Sequence, residues 1–253
     1  MDELKDMNII VTGGASGIGR ATALLLAGQG ARVFVGDIDA AGGRHVAEEA
    51  AGKGLAISFV PLDLTDAASA ESFVASVRQA VPRIDGLVNA AGWDKVEPFM
   101  DNDPKLWDKL LAINLLGPIR LTRHVLTPMT EAKGGKIVNI ASDAGRVGSM
   151  GETVYSACKG GTIAFTKALA REMARYKINV NCVCPGPTDT PLLQAQTSDW
   201  AMRIKEGMTR AVPFRRMAEP VEIAEAIAFF LSPRSAFITG QVLSVSGGLT
   251  MAG

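Results

Sequence analysis

Short runs of apolar, β-branched residues alternate along the whole chain with longer stretches whose apolar positions recur every three or four residues. That alternation produces strand, helix, strand crossovers and therefore a parallel sheet. Strands are predicted over Asn8 to Val11, Ala31 to Gly36, Ala56 to Pro61, Gly86 to Asn89, Lys136 to Ile140, Asn179 to Cys184 and Leu243 to Val245, seven in all. Helical spacing marks Gly17 to Ala27, Asp66 to Val81, Pro104 to His124, Val154 to Tyr176 and Val221 to Leu231. The expectation is an α/β domain with a seven-stranded parallel sheet and helices on both faces. The least regular stretch, with Pro185, Pro187, Pro191, Pro213 and Pro220, predicts a substrate lid at about 187–216.

Length and composition narrow this picture. A chain of 253 residues with 47% apolar content can bury one large core, so 1–253 is expected to be a single domain. Lys plus Arg and Asp plus Glu both number 26, so no global field recruits nucleic acid or an anionic membrane. The acidic start, Met1-Asp2-Glu3, does not resemble a secretory signal, and apolar runs are broken before membrane-spanning length, as by Glu222 and Glu225. Three cysteines argue against a disulfide framework, and a cytoplasmic setting is expected. Cys182 and Cys184 share a strand face, but His45 and His124 are remote in sequence, so no metal is expected.

The first strand runs into Thr12-Gly13-Gly14-Ala15-Ser16-Gly17-Ile18-Gly19 and then into a helix. Strand, glycine turn and helix in this order form the dinucleotide-binding unit of a Rossmann-type, doubly wound sheet. Gly13 permits the tight turn, Gly17 close approach to a pyrophosphate, and Gly19 close packing of helix on strand. The helix N-terminus then offers unpaired N–H donors to phosphates. Asp37 ends the second strand, 18 residues after Gly19, where a carboxylate can accept hydrogen bonds from the adenine ribose hydroxyls and repel a 2'-phosphate. NAD is accordingly expected over NADP, although an aspartate here also serves as a turn residue or helix cap. Asp63 is a candidate for the adenine, and Asp63-Leu64-Thr65-Asp66 is equally a helix-start sequence. Asn89-Ala90-Ala91-Gly92 ends the fourth strand with small residues that leave room for a cofactor.

Tyr155 and Lys159 stand four apart in a helical pattern and share one face. A phenol titrates near pH 10 when unperturbed, so work as an acid or base near neutrality needs a neighbouring cation, which Lys159 supplies. With Thr12 to Gly19, Asn89 to Gly92, Asn114, Ser142, Tyr155-Ser156-Ala157-Cys158-Lys159 and Pro185-Gly186, the chain resembles the classical short-chain dehydrogenase/reductase family along essentially its whole length. The resemblance implies that Ser142 hydrogen-bonds the substrate oxygen and that Tyr155 exchanges the proton. It implies too that Lys159 holds the nicotinamide ribose and that Asn114 supports a water relay. It places Ser16, Ile18, Leu64, Ala90, Pro185, Gly186 and Thr188 around the cofactor with the residues already named. Homotetramers are implied, through Pro104 to His124, Val154 to Tyr176 and the C-terminal region. Two departures stand out: Ala90 replaces a usual asparagine, and Cys158 a common serine.

Asn114 has a separate argument. Pro118 lacks an N–H, and its ring clashes with the carbonyl four residues back, so a distorted helix is predicted at Asn114 to Pro118, with a freed carbonyl able to hold a water. On the substrate side, Trp93, Asp143 and Glu152 are candidates, with Asp94 beside them. Trp200, Ile204 and Met208 form an apolar stripe that can close over a ring or serve packing and subunit contact. Arg203, Lys205, Arg210, Arg215 and Arg216, against Glu206 alone, suit the phosphates of a CoA thioester or form a solvated face. Ala91-Gly92-Trp93-Asp94, Asn139 to Ala144, Cys158-Lys159-Gly160-Gly161, Val183 to Thr190 and Phe237 to Met251 resemble the alicyclic 2-hydroxycyclohexanecarboxyl-CoA dehydrogenases. That resemblance implies oxidation of a ring secondary alcohol beta to a thioester. The rival is a 3-oxoacyl-[acyl-carrier-protein] reductase, normally NADPH-dependent, and a different class is a nucleotide-sensing protein without catalysis.

Overall fold

The computed structural model describes residues 3–252. Seven strands form one parallel sheet: β1 (Asn8–Thr12), β2 (Arg32–Asp37), β3 (Ile57–Pro61), β4 (Gly86–Asn89), β5 (Gly135–Ile140), β6 (Ile178–Pro185) and β7 (Val242–Val245). Their order is β3-β2-β1-β4-β5-β6-β7. The chain leaves β1 in one direction and returns to pair β4 on its other side, so the order reverses between β1 and β4 and a crevice opens at the strands' carboxyl ends.

Among the described residues ten α-helices follow in chain order: α1 (Gly17–Gly28), α2 (Ala40–Gly52), α3 (Ala67–Ala80), α4 (Pro104–Leu111), α5 (Gly117–Ala132), α6 (Ala144–Val147), α7 (Thr153–Met173), α8 (Pro191–Gln194), α9 (Asp199–Ala211) and α10 (Pro220–Leu231). Side chains alternate across each strand, so Ile9 and Val11 pack beneath Leu26, Val46 and Ile227 of α1, α2 and α10. Ile10 faces the opposite way, into a second core with Phe73, Leu121 and Leu169 of α3, α5 and α7. Each such fully buried aliphatic or aromatic side chain contributes about 1.5–3 kcal/mol. With both faces covered, the strands read as continuous apolar runs.

Helix α2 lies outside the periodic stretches of the sequence because its buried face is Gly43, Val46 and Ala50, too small to raise an apolar stripe. Its start is fixed by Asp39, whose carboxylate accepts from the Ala41 and Gly42 amides. Helix α5 continues past the expected end at His124. Pro128 removes one bond inside it, but the burial of Leu126 and Met129 holds the last turns.

Between α4 and α5, Ala112–Leu116 form a single π turn, in which the Gly117 amide donates to Ala112 O five residues back. The distortion predicted from Pro118 is therefore present, taking the form of an inserted residue. The Asn114 carbonyl accepts at 3.4 Å from Thr162 Oγ1 of α7. The irregular stretch after β6 is pinned at both ends: Ala218 N donates to Pro187 O and Asp189 N to Ala218 O, each at 2.9 Å, with α8 and α9 between.

Candidate active site

At the carboxyl ends of β1, β2, β4, β5 and β6 lies a cavity of about 980 Å³. The glycine turn forms one end. Gly13 has φ +67°, and a Cβ there would sit 2.7 Å from Ala91 Cα; a Cβ on Gly19 would run into the Gly13 carbonyl. No other residue type fits either position. Ser16 precedes α1 in extended backbone without a side-chain cap, and the first turn carries no acidic residue, so its N–H groups remain available to an anion. This cradle fits a dinucleotide pyrophosphate. Thr12, part of the motif but given no role by it, holds the opposite wall: its Oγ1 accepts from Ala90 N and Ala91 N, each at 3.1 Å. Its only sequence signal is its place immediately before the turn.

Asp37 lines the cavity at the end of β2, with Oδ2 accepting from Ala15 N and Oδ1 from Asp39 N, both at 2.9 Å. Asp63 and Ile38 line the same end, while Arg20 is paired with Glu49 on α2. Asp63 Oδ1 also accepts from Thr65 N at 2.8 Å, and the helix start belongs to Asp66, which caps α3. Ser16, Gly17, Ile18, Leu64, Ala90, Gly92, Pro185, Gly186 and Thr188 all line the cavity. Asn89 is the exception. Its carboxamide turns into the core, donating to Thr122 Oγ1 at 3.0 Å and to Asn139 Oδ1 at 2.8 Å, because a buried amide between two strands must find partners there.

Ser142, just past β5, faces Tyr155 and Lys159 on α7 across the cavity. Lys159 Nζ donates to Ile140 O at 3.0 Å and stands 5.4 Å from the Tyr155 ring centre. Burial lowers the Lys159 ammonium to about 8. The Tyr155 phenol is pushed upward by burial first and then by the nearby Glu152 and Asp94 carboxyls, while a hydrogen bond with Ser142 pulls it down. Ser142 Oγ is oriented by the Ala144 amide at 3.1 Å. Asn114 does not line the cavity but stands directly behind it, where its Nδ2 donates to Trp93 O at 2.7 Å and to Leu110 O at 3.0 Å. The arrangement can hold a carbonyl or carbinol oxygen between two hydroxyls, with a cation behind the phenol.

The far wall carries Trp93, Asp94, Asp143 and Glu152. Lys109 Nζ of α4 lies 3.6 Å from the Trp93 ring centre. Asp143 is tied to β7, its Oδ1 accepting from Ser244, which leaves Oδ2 buried without a partner among the described residues. Gln196, which carries no motif or spacing signal, ties the α8–α9 segment to this wall: Nε2 donates to Asp94 O and Oε1 accepts from Val96 N, both at 3.1 Å. Of the apolar stripe on α9 only Met208 lines the cavity; Trp200 packs against Gly151 instead. Among the cations of this stretch, Arg210 pairs with Glu206 at 3.2 Å and Arg216 with Glu222 at 2.6 Å.

Residues 13–250 match the family model described as enoyl-(acyl carrier protein) reductase. The chain is 40% identical over 245 residues to an acetoacetyl-CoA reductase of Synechocystis sp., covering 96% of each chain. It is 36% identical over 242 residues to a 3-oxoacyl-[acyl-carrier-protein] reductase of Thermotoga maritima, covering 96% of this chain and 97% of that one. Among solved structures, a variant of actinorhodin polyketide ketoreductase with NADPH superposes with a TM-score of 0.91 at 36% identity, covering 96% of this chain and 97% of that one. Fold, glycine turn and near full-length similarity agree: this chain belongs to the short-chain dehydrogenase/reductase family, enzymes that interconvert hydroxyl and keto groups.

Proposed function

We propose that the protein is an NAD-dependent dehydrogenase that reversibly oxidises a secondary alcohol to a ketone, with an alicyclic β-hydroxyacyl-CoA such as 2-hydroxycyclohexanecarboxyl-CoA as substrate. The observation that carries the reaction class is the convergence of Ser142, Tyr155 and Lys159 on one cavity with the glycine turn. Gly13, Gly17, the first turn of α1 and Asp37 hold the dinucleotide, which when bound takes up or gives the hydride. Ser142 orients the reacting oxygen, and Tyr155 takes its proton in oxidation and returns it in reduction. Lys159, buried beside the phenol, offsets the charge of the phenolate and reaches toward the ribose. Asn114 fixes the Trp93 backbone beside them.

NAD is favoured over NADP because Asp37 and Asp63 line the adenine end and Arg20 is spent on Glu49. A 2'-phosphate there meets negative charge. The thioester reading draws on acyl-thioester substrates in the names of relatives, which include a (2S)-[(R)-hydroxy(phenyl)methyl]succinyl-CoA dehydrogenase subunit of Thauera aromatica at 37% identity over 242 residues. The ketoreductase neighbour with NADPH favours the second reading, a 3-oxoacyl-[acyl-carrier-protein] reductase. One assay separates them: nicotinamide absorbance followed with NAD(H) and NADP(H) across cyclic and linear 3-hydroxyacyl-CoAs, their free acids and acyl-carrier-protein thioesters. NAD(H) and the cyclic CoA thioesters are expected to give the highest kcat/KM. A preference for NADPH with linear carrier-protein thioesters overturns the proposal. No turnover with any pair leaves a nucleotide-binding protein. The homotetramer and the cytoplasmic setting belong to the same proposal, and sedimentation of the purified protein tests the former.

A further inference from the structure

Two carboxyl groups on the substrate wall are unaccounted for by the chemistry above. Asp94 is 6% exposed, and both of its oxygens, like Glu152 Oε2, are buried without a hydrogen-bond partner among the described residues. The two residues stand on neighbouring segments, joined by Glu97 N donating to Gly151 O at 3.1 Å, and both line the cavity that holds Ser142 and Tyr155. Asp94 is desolvated by its burial and repelled by the nearby Glu152 carboxylate, so its ionised form is disfavoured. A proton between them satisfies one oxygen on each, and one Asp94 oxygen is then left over.

Nor can Asp94 relax away. Its segment is held by the Asn114 amide at Trp93, by Gln196 at Asp94 O and Val96 N, and by Glu97 N donating to Gly151 O at 3.1 Å. The groups facing Asp94 from α7 are Glu152, Tyr155, Cys158 and Lys159. From α4, Lys109 is occupied by the Trp93 ring, and on its own segment Lys95 is paired with Glu97. Burial first, then the charge of the nearby Glu152, push the Asp94 carboxyl up to about 8, against a weaker pull from Lys159. At neutral pH it is therefore an acid, a donor as well as an acceptor.

We infer that Asp94 and Glu152 form a second polar subsite, in which the acid proton of Asp94 bridges the two carboxyls when the site is empty and turns to a carbonyl carried by the substrate next to the reacting carbon when substrate binds, leaving Glu152, which is only half-buried, to be solvated. This rests on the dehydrogenase reading and narrows its substrate to a compound with a second oxygen function. Tyr155 and Ser142 take the reacting oxygen; the carboxyl pair reads its neighbour. A plain cyclic ketone lacks that neighbour and leaves the pair bonded only to itself.

The test compares kcat/KM for NADH-driven reduction of ethyl 2-oxocyclohexanecarboxylate and of cyclohexanone between pH 6.5 and 9.5. Their ratio cancels changes in the machinery common to both. In the unmodified enzyme the ratio should fall about tenfold as pH passes 8, the worth of one hydrogen bond to a buried polar group. Asp94→Asn, whose amide still donates but does not titrate, should flatten that dependence, and Asp94→Leu should hold the ratio low at every pH. A flat ratio in the unmodified enzyme, or one unmoved by Asp94→Leu, overturns the subsite while leaving the dehydrogenase reading intact. If neither compound is turned over, the infrared readout below decides the subsite and the thioester assay above decides the dehydrogenase reading. The proton is also visible without substrate, as a carboxylic-acid carbonyl stretch in the infrared spectrum at pH 7 that is missing from Asp94→Asn; no such band in the unmodified protein overturns the inference.

Discussion

Asn114 grips the Trp93 backbone on both sides of its Cα: Nδ2 donates to Trp93 O at 2.7 Å, and Oδ1 accepts from Trp93 N at 3.2 Å. The amide joins the π turn at the head of α5 to the loop leaving β4, and so fixes the wall on which Trp93 and Asp94 stand. Replacement by alanine leaves the Trp93 and Leu110 carbonyls without this donor at a site 1% exposed. Asn114→Ala should cost about 2 kcal/mol in urea denaturation. It should lower kcat at least tenfold, since a slipped wall misplaces the substrate. Unchanged kcat would reduce Asn114 to a packing residue.

Pro118 decides whether the π turn persists. With no N–H at 118, the Asn114 carbonyl has no helical donor and accepts from Thr162 instead. Pro118→Ala supplies that N–H and should draw Ala112–Leu116 toward a regular helix. Stability should hold or rise while kcat drops, a pairing read from thermal unfolding and steady-state assays on the same sample.

Tyr155→Phe removes the proton carrier but not the ring that packs beside Lys159. The expected loss in kcat is about a thousandfold, in the range of general acid–base catalysis. NADH binding, followed by fluorescence, should stay within a few-fold, because the glycine turn and Asp37 are untouched. Substantial residual turnover would remove Tyr155 from the reaction.

The Asp94 carboxyl gives stability a definite dependence on pH. Its folded value is raised to about 8, whereas the unfolded aspartate titrates near 4, so between these values the folded state binds the extra proton. Its contribution is present below about pH 4 and is lost progressively as pH rises to about 8. Urea midpoints should accordingly decline over that interval, and Asp94→Asn should decline less. An identical slope in the variant would show that Asp94 is ionised throughout.

Much of this molecule was legible in one dimension. The seven strands stand within a residue or two of the apolar runs, because strands buried on both faces admit little else. The glycine turn, the Tyr155 and Lys159 pair and the helix defect beside Pro118 are local: each depends on backbone or side-chain geometry within a few residues of itself. The inward turn of Asn89, the latch of Gln196 on the Asp94 segment and the meeting of Asp94 with Glu152 join residues dozens of positions apart. No spacing rule reports such pairs. Only the sheet order and the packing of the α8–α9 segment bring them together, and only burial then raises the Asp94 carboxyl beside Glu152.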